Sequence, residues 1–273
     1  MTQAQKVIKY LALAFALFLI VIIISSITFG IYTTVNILGL VDNNDKKIID
    51  LVKTEHSELT NYLDIDINSS NLKIKKGNSF YSETNNGDIE YKQDGNKLII
   101  KEKGKKWFSI NKSTDLIIYV PEDMVFNNID IDNGAGKVSI DKIDTEELDL
   151  DLGAGKTVIN SINSNNTSIS TGAGNFIIKS GNLNDLDFDM GVGSVEITSS
   201  ITGNSKIDTG VGSLKINLIG SIDDYRIKVD KGLGSVRIDN DKVSDGKIIG
   251  NGINFIDING GVGSIKVNFK EVK

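Results

Sequence analysis

The chain of 273 residues contains no cysteine, one histidine (His56) and one proline (Pro121). Without cysteine there is no disulfide framework, no thiolate metal site and no cysteine nucleophile. A lone histidine cannot furnish a His-rich zinc site, and any Ser-His-Asp arrangement would have to run through His56. Basic charge is also short, because 30 Lys and Arg face 36 Asp and Glu, leaving a net charge of -6. That balance gives no footprint for nucleic acid. What the chain has in quantity is glycine, 27 residues in all, and the glycines are not scattered.

Charge is absent altogether from Tyr10 to Val41, and within that run Leu11 to Ile24 is apolar at every position. A helix needs about 20 such residues to cross the hydrocarbon core of a bilayer. Lys6 and Lys9 precede the run, whereas Asp42 and Asp45 follow it. The positive-inside rule then leaves residues 1–9 in the cytoplasm, makes 10–41 a transmembrane anchor and puts the rest outside the cell membrane. A cleaved secretory signal is the competing reading. The apolar stretch is too long for one, and Ser25-Ser26-Ile27 lacks a small-x-small cleavage site. Beyond the anchor, Ile48, Val52, His56, Leu59 and Leu63 recur at helical spacing, so 42–63 reads as a short amphipathic helix or stalk. His56 falls on its apolar side, a half-buried position rather than a ligand or a pH sensor.

From residue 64 onward the chain reads as an extracytoplasmic β-repeat domain, with 64–130 as irregular capping strands and 131–273 as repeats. The repeats are marked by a Gly-x-Gly tripeptide: Gly134 and Gly136, Gly153 and Gly155, Gly172 and Gly174, Gly191 and Gly193, Gly210 and Gly212, Gly232 and Gly234, Gly261 and Gly263. The spacing of successive first glycines is constant through Gly210 and lengthens over the last two intervals. A fixed period near 20 signals a solenoid, in which each unit buries its apolar face only by stacking on the next. Three positions before each first glycine stand Ile131, Leu150, Ile169, Phe188, Ile207, Val229 and Ile258, and six positions after it Ile140, Ile159, Ile178, Ile197, Ile216, Ile238 and Val267. This is strand alternation on both sides of the tripeptide with a change of parity between them.

A structural turn or bulge at the glycines accounts for that change, since glycine adopts positive φ and permits close backbone approach. The middle residue (Ala, Ala, Ala, Val, Val, Leu, Val) is expected to point inward and fill the corner. The fold class is therefore all-β, a stacked-repeat β-solenoid ectodomain preceded by one N-terminal transmembrane helix. The long final intervals place a second cap near Asp239 to Gly252.

Several motifs invite chemistry. Gly153-Ala154-Gly155-Lys156-Thr157 looks like the tail of a P-loop, but Leu150 stands where the preceding glycine belongs and strand alternation follows instead of a helix. No tripeptide carries the third glycine of a dinucleotide fingerprint. Gly260-Gly261-Val262-Gly263 lacks the aspartate of calcium-binding β-rolls, with Ile265 in its place. An outward column of Asp132, Asp151, Ser170, Asp189, Asp208, Asp230 and Asn259 is a solvated acidic face, screened by lysines such as Lys137, Lys156 and Lys206, with a row of calcium ions as the alternative. Trp107 and Phe108 pack into an irregular strand or form a sugar-stacking or membrane-facing patch. No acidic pair stands out as a glycosidase dyad. No catalytic, cofactor or metal residue is assigned.

The units LDLDLGAGKTVINSI, LDFDMGVGSVEITSS and KIDTGVGSLKIN, preceded by DLIIYVPEDMVFNNIDIDNGAG, resemble the bacterial putative-adhesin family of β-strand repeat proteins, also called toastrack domains. The resemblance spans roughly residues 61 to 273. It implies an all-β stacked body and, in LiaG-like relatives, association with the cell-envelope stress-response membrane proteins of Gram-positive bacteria. It brings no catalytic residues. The expectation is a non-catalytic, single-pass membrane interaction module whose partners are envelope membrane proteins or cell-wall polymer, and not nucleic acid. The alternative is a polysaccharide-active, calcium-assisted β-solenoid enzyme.

Overall fold

Glycines recurring at a constant interval between alternating apolar strands dictate a coil that returns to its own start, and the chain does wind that way. The computed structural model describes residues 51–104, 114–239 and 241–270; the expected anchor at 10–41 and the Trp107-Phe108 pair lie outside the described residues. The strands are, in order, β1 (Val52–Glu55), β2 (Tyr62–Ile67), β3 (Asn71–Gly77), β4 (Tyr81–Thr84), β5 (Ile89–Asp94), β6 (Lys97–Glu102), β7 (Asp115–Pro121), β8 (Phe126–Ile140), β9 (Ile143–Ile159), β10 (Ile162–Ile178), β11 (Gly181–Asn184), β12 (Leu186–Thr202), β13 (Asn204–Ile219), β14 (Tyr225–Asp230), β15 (Leu233–Ile238), β16 (Asp241–Lys242), β17 (Lys247–Ile249), β18 (Asn254–Asn259) and β19 (Val262–Lys270). One 3-10 turn, Ile222–Asp224, is the single helical element among the described residues. Among those residues no helix is long and apolar enough to cross a membrane.

Strands β8, β9, β10, β12 and β13 stack in parallel, each displaced by one coil, so that like lies over like. The side chains pointing inward form continuous columns. Ile100, Ile65, Ile131, Leu150, Ile169, Phe188, Ile207, Ile258 and Val229 succeed one another across paired strands, and none is more than 1% exposed. A second column runs Ile118, Ile74, Ile140, Ile159, Ile178, Ile197, Ile216, Val267 and Ile238. With rungs about 4.8 Å apart, each branched side chain packs against its counterparts above and below, and a fully buried one contributes about 1.5–3 kcal/mol.

The stack does not follow chain order at its ends. Strands β18 and β19, the last in sequence, pair with β13 on one side and with β14 and β15 on the other. The first coil, β2 and β3, likewise lies between β8 and the coil formed by β6 and β7. At each end, then, a coil from the interior of the sequence occupies the rim. The chain flanking it folds back as antiparallel cover: β5 on β6, β4 on β7 and β1 on β4 at one end, β17 on β14 and β16 on β15 at the other. A chain terminus at the rim could cover the edge from one side only, and an open edge is a template for aggregation.

Two expectations change here. The stalk expected over 42–63 is, in its described part, strand β1, a connecting turn and the start of β2; the helical spacing of Val52, His56 and Leu63 is overridden by pairing with β4, β6 and β8. The region 64–130 holds the paired strands of two further coils, β2 with β3 and β6 with β7, in addition to capping strands. The corner between β2 and β3 is not a glycine tripeptide. Gly134 and Gly136 stack on the backbone of Asn68 and Ser70, so Asn68-Ser69-Ser70 turns the first corner.

Candidate binding surfaces

At the Gly-x-Gly corner the burial parity changes. In β9, Leu148, Leu150 and Leu152 are buried, then Thr157 and Ile159, with exposed residues from Gly153 to Lys156. The strand assignment runs through without a break, so the parity shift is made inside the strand. Gly174 shows why glycine stands there. Its φ is +141°, and a Cβ would lie 1.8 Å from the carbonyl oxygen of Gly155 in the rung below. The same close approach recurs up the column of second glycines from Gly155 to Gly263.

The middle residue points the opposite way from expectation. Val192 is 56% exposed, Val211 48%, Val262 50% and Leu233 76%. Because the parity shift is completed across the glycines, the residue between them is turned out of the core. The result is a ridge in which Ala135, Ala154, Ala173, Val192, Val211, Val262 and Leu233 stand in register.

On one side of this ridge lies the acidic face. The expected column exists, in the spatial order Asp66, Asp132, Asp151, Ser170, Asp189, Asp208, Asn259, Asp230. A second column two residues earlier runs Asp64, Asp130, Asp149, Ser168, Asp187, Lys206, Asp257, Lys228. Its signal was present in the alternation of LDLDL and LDFDM. Partial burial, with Asp64 and Asp149 beside it, pushes the Asp130 carboxyl up. Asp132 is raised by burial and by Asp151 and Asp66, and Asp189 by burial, Asp208 and Asp187. Asp208 is lowered because Lys206 donates to it at 2.5 Å.

Lysines neutralise the ends of the face. Lys97 pairs with Asp64 at 2.8 Å, Lys101 with Asp66 at 3.6 Å, and Lys228 with Asp230 and Asp257. Lys137 and Lys156 stack on each other beyond the corner, on the neighbouring face, rather than beside the aspartates. Among the described residues no group of three or more His, Cys, Asp or Glu is arranged to hold a metal ion.

A third surface was not singled out by the sequence pattern. The short strand segments that open β9 and β10, together with β11, form a shallow groove of about 370 Å³ bounded by Val125 and Thr202 and lined by Asp144, Glu146, Asn163, Asn165, Asn182 and Asn184. Asn163 donates to Asp144 at 2.7 Å, Asn182 donates to Asn163 at 3.0 Å, and Asn165 donates to Glu146 at 2.5 Å. Asn184 donates to the backbone carbonyl of Asn165 at 2.9 Å, and Thr202 donates to the Asn184 side chain at 2.9 Å. Each amide is thereby fixed on the rung before it. Asn163 and Asn182, like Asn165 and Asn184, are separated by one repeat, and that recurrence is the trace the groove leaves in the sequence.

His56 is half-buried beyond β1, with its ring against Phe80 and Tyr91 and its Nε2 2.9 Å from the Ser82 hydroxyl. Burial lowers its pKa to about 4, against a smaller opposing pull from Glu55. Its hydroxyl partner, Ser82, is itself wholly buried.

The family model described as Toastrack DUF4097 matches residues 60–249. No curated protein matches the chain. Among solved structures, a putative cell adhesion protein from Clostridium sporogenes is similar, with 15% identity, a TM-score of 0.34 and coverage of 81% of this chain and 99% of that one. A putative adhesin from Bacteroides fragilis is 16% identical with a TM-score of 0.40, covering 82% of this chain and 98% of that one.

Proposed function

The chain belongs to the Toastrack DUF4097 family, and on that premise we propose that it is a non-catalytic interaction module held at the cell membrane by residues 10–41, with the stacked body outside. The observation that carries this reading is the register of the exposed side chains. Ridge, acidic columns and amide groove each repeat at one rung, and extended columns of this kind are what solenoids present to partners. The uncharged run from Tyr10 to Val41, with lysines before it and aspartates after it, supports the anchor and its orientation. The module adheres to a surface or scaffolds other envelope membrane proteins in a stress response.

Cross-linking in intact cells tests the proposal, comparing the full chain with a secreted form lacking residues 1–41. Capture of defined membrane proteins by the anchored form alone gives the scaffold role. Capture of wall polymer or a foreign surface by both forms gives adhesion. Turnover of a wall polymer, abolished by a single carboxylate substitution, would overturn the non-catalytic reading.

A further inference from the structure

We propose that the groove spanning β9, β10 and β11 binds an uncharged, hydroxyl-rich saccharide. This inference rests on the interaction-module reading and names the ligand class of one of its surfaces.

The argument begins with what the groove offers. Each asparagine side chain has two N–H donors and an oxygen with two lone pairs. Asn163 spends one N–H on Asp144 and one lone pair on Asn182, and Asn182 and Asn165 each spend one N–H on the rung below. What remains on each is a donor beside an acceptor. Asp144 and Glu146 add acceptors only. Lys142, the nearby cation, is already paired with Asp144 at 2.5 Å.

A bare cation would find both carboxylates already engaged, Asp144 by Lys142 and Asn163 and Glu146 by Asn165, and an anion would meet those carboxylates with no cationic side chain among the groove's lining residues. An aromatic ligand would find no ring to stack on. Hydroxyl groups both donate and accept, so neighbouring hydroxyls on a sugar match an amide's paired N–H and C=O without requiring net charge. Val125, 56% exposed at the groove's end, offers apolar contact for the C–H face of a sugar ring. The amides are already ordered by their rung-to-rung bonds, so less side-chain entropy is lost on binding.

The acidic face has more charge but nothing that points to a ligand, and the apolar ridge has nothing to say what would cover it. The groove differs in having donors and acceptors fixed side by side and left unused.

The test uses the full chain in a phosphocholine detergent, titrated calorimetrically with cellotetraose, chitotetraose and an uncharged polar peptide. Asn165→Ala combined with Asn182→Ala removes two of the free amides. Asn268→Ala is the control, because it deletes a ladder bond of the same kind, to Asn217 at 3.0 Å, on another face. The expected result is saccharide binding that the double variant weakens at least tenfold and the control leaves unchanged, with a small loss of thermal stability in each.

Absence of saccharide binding at millimolar concentration, equal binding by the double variant, or binding of the peptide in preference to both sugars would overturn the proposal. Cross-linking of the double variant in cells separates the two readings. Capture that persists undiminished removes the groove while keeping the interaction module, whereas a wild-type chain that captures nothing removes the module itself.

Discussion

The middle of the stack and its two ends solve the same problem by different means. From β8 to β13 chain order is spatial order, every rung carries a glycine tripeptide at the same corner, and each rung repeats the one beneath it. At the ends the coils exchange places and antiparallel strands cover the rims; one end keeps the tripeptide corners, at Gly261 to Gly263 and Gly232 to Gly234, while at the other Asn68-Ser69-Ser70 takes over. The two covers also differ. One has β1, β4 and β5 with Phe80 wholly buried, while the other, among the described residues, has the short strands β16 and β17. Repetition makes the middle intolerant at its corner glycines and inward columns, whereas the ends, made of unique contacts, tolerate change wherever a contact happens to be missing.

Glycine substitution breaks that contrast most sharply. Gly174→Ala places a Cβ 1.8 Å from a backbone oxygen and forces φ of +141° on an L-residue. The oxygen belongs to the neighbouring rung and cannot move without opening the stack, so the loss should be about 3 kcal/mol or more. Gly87→Ala, in the turn before β5, meets nothing within 4 Å. Its effect should stay within about 0.5 kcal/mol. Denaturant melts of the two variants check the pair, and equal losses would mean that the corner is less rigid than its geometry requires.

Acid should separate the regions in opposite directions. His56 titrates near 4 when folded and near 6.5 when unfolded. Between those values the unfolded chain takes up a proton that the folded cap does not, so stability falls as pH drops from about 6.5 to about 4 and the loss is complete below that. Because the ring is only partly buried, the full shift is discounted to about 1–2 kcal/mol. Asp130, Asp132 and Asp189 have raised values. Their folded forms take up protons first, so these three carboxyls add stability as pH falls towards the unfolded aspartate range, whereas Asp208, held down by Lys206, loses its contribution on further acidification. Amide exchange at pH 7 and pH 5 should show faster opening of β1 and β4 in acid without the same change in β9, and His56→Phe should remove the effect. Equal acceleration in both regions would refute the assignment to His56.

How much of this was legible in the sequence follows the same division. The inward columns through Ile131 and Ile140 could be read because repetition supplies many samples of one environment. The exchange of coils at the ends could not. The lengthened intervals before Gly232 and Gly261 are as compatible with a longer loop as with a coil placed one rung further out. Asn68-Ser69-Ser70 carries no corner signature, and the spacing of Val52, His56 and Leu63 fits a helix as well as it fits two strands. The orientation of Val192 is not legible in the sequence because a parity shift across two glycines determines which way the middle residue faces, and only the backbone reveals where that shift is completed. The amide groove is hidden for another reason: Asn163 and Asn182 look like ordinary polar strand residues until the rungs bring them together.

Within the middle of the stack, position 167 offers a smaller test. Thr167 stands between Leu148 and Leu186 in an otherwise apolar stretch of its column, 3% exposed, and its hydroxyl has no hydrogen-bond partner. Thr167→Val keeps the branched shape and removes a buried polar group that gains nothing from burial. Stability should rise by about 1 kcal/mol. A thermal melt that falls instead would show that the hydroxyl has a water or backbone partner.

The smallest effect is expected where the repeat turns outward. Val211 occupies the same corner as Gly210 and Gly212, yet it is 48% exposed, so its neighbours restrict the backbone and leave the side chain free. Val211→Thr retains the β-branched shape suited to a strand. The change in stability should be below about 0.5 kcal/mol, although the residue lies between two positions where adding a single methyl is ruled out. Measured beside Gly174→Ala, this variant tests whether the intolerance of the middle comes from its backbone contacts or from the repeat as a whole. A loss of comparable size would mean that the ridge is covered in solution.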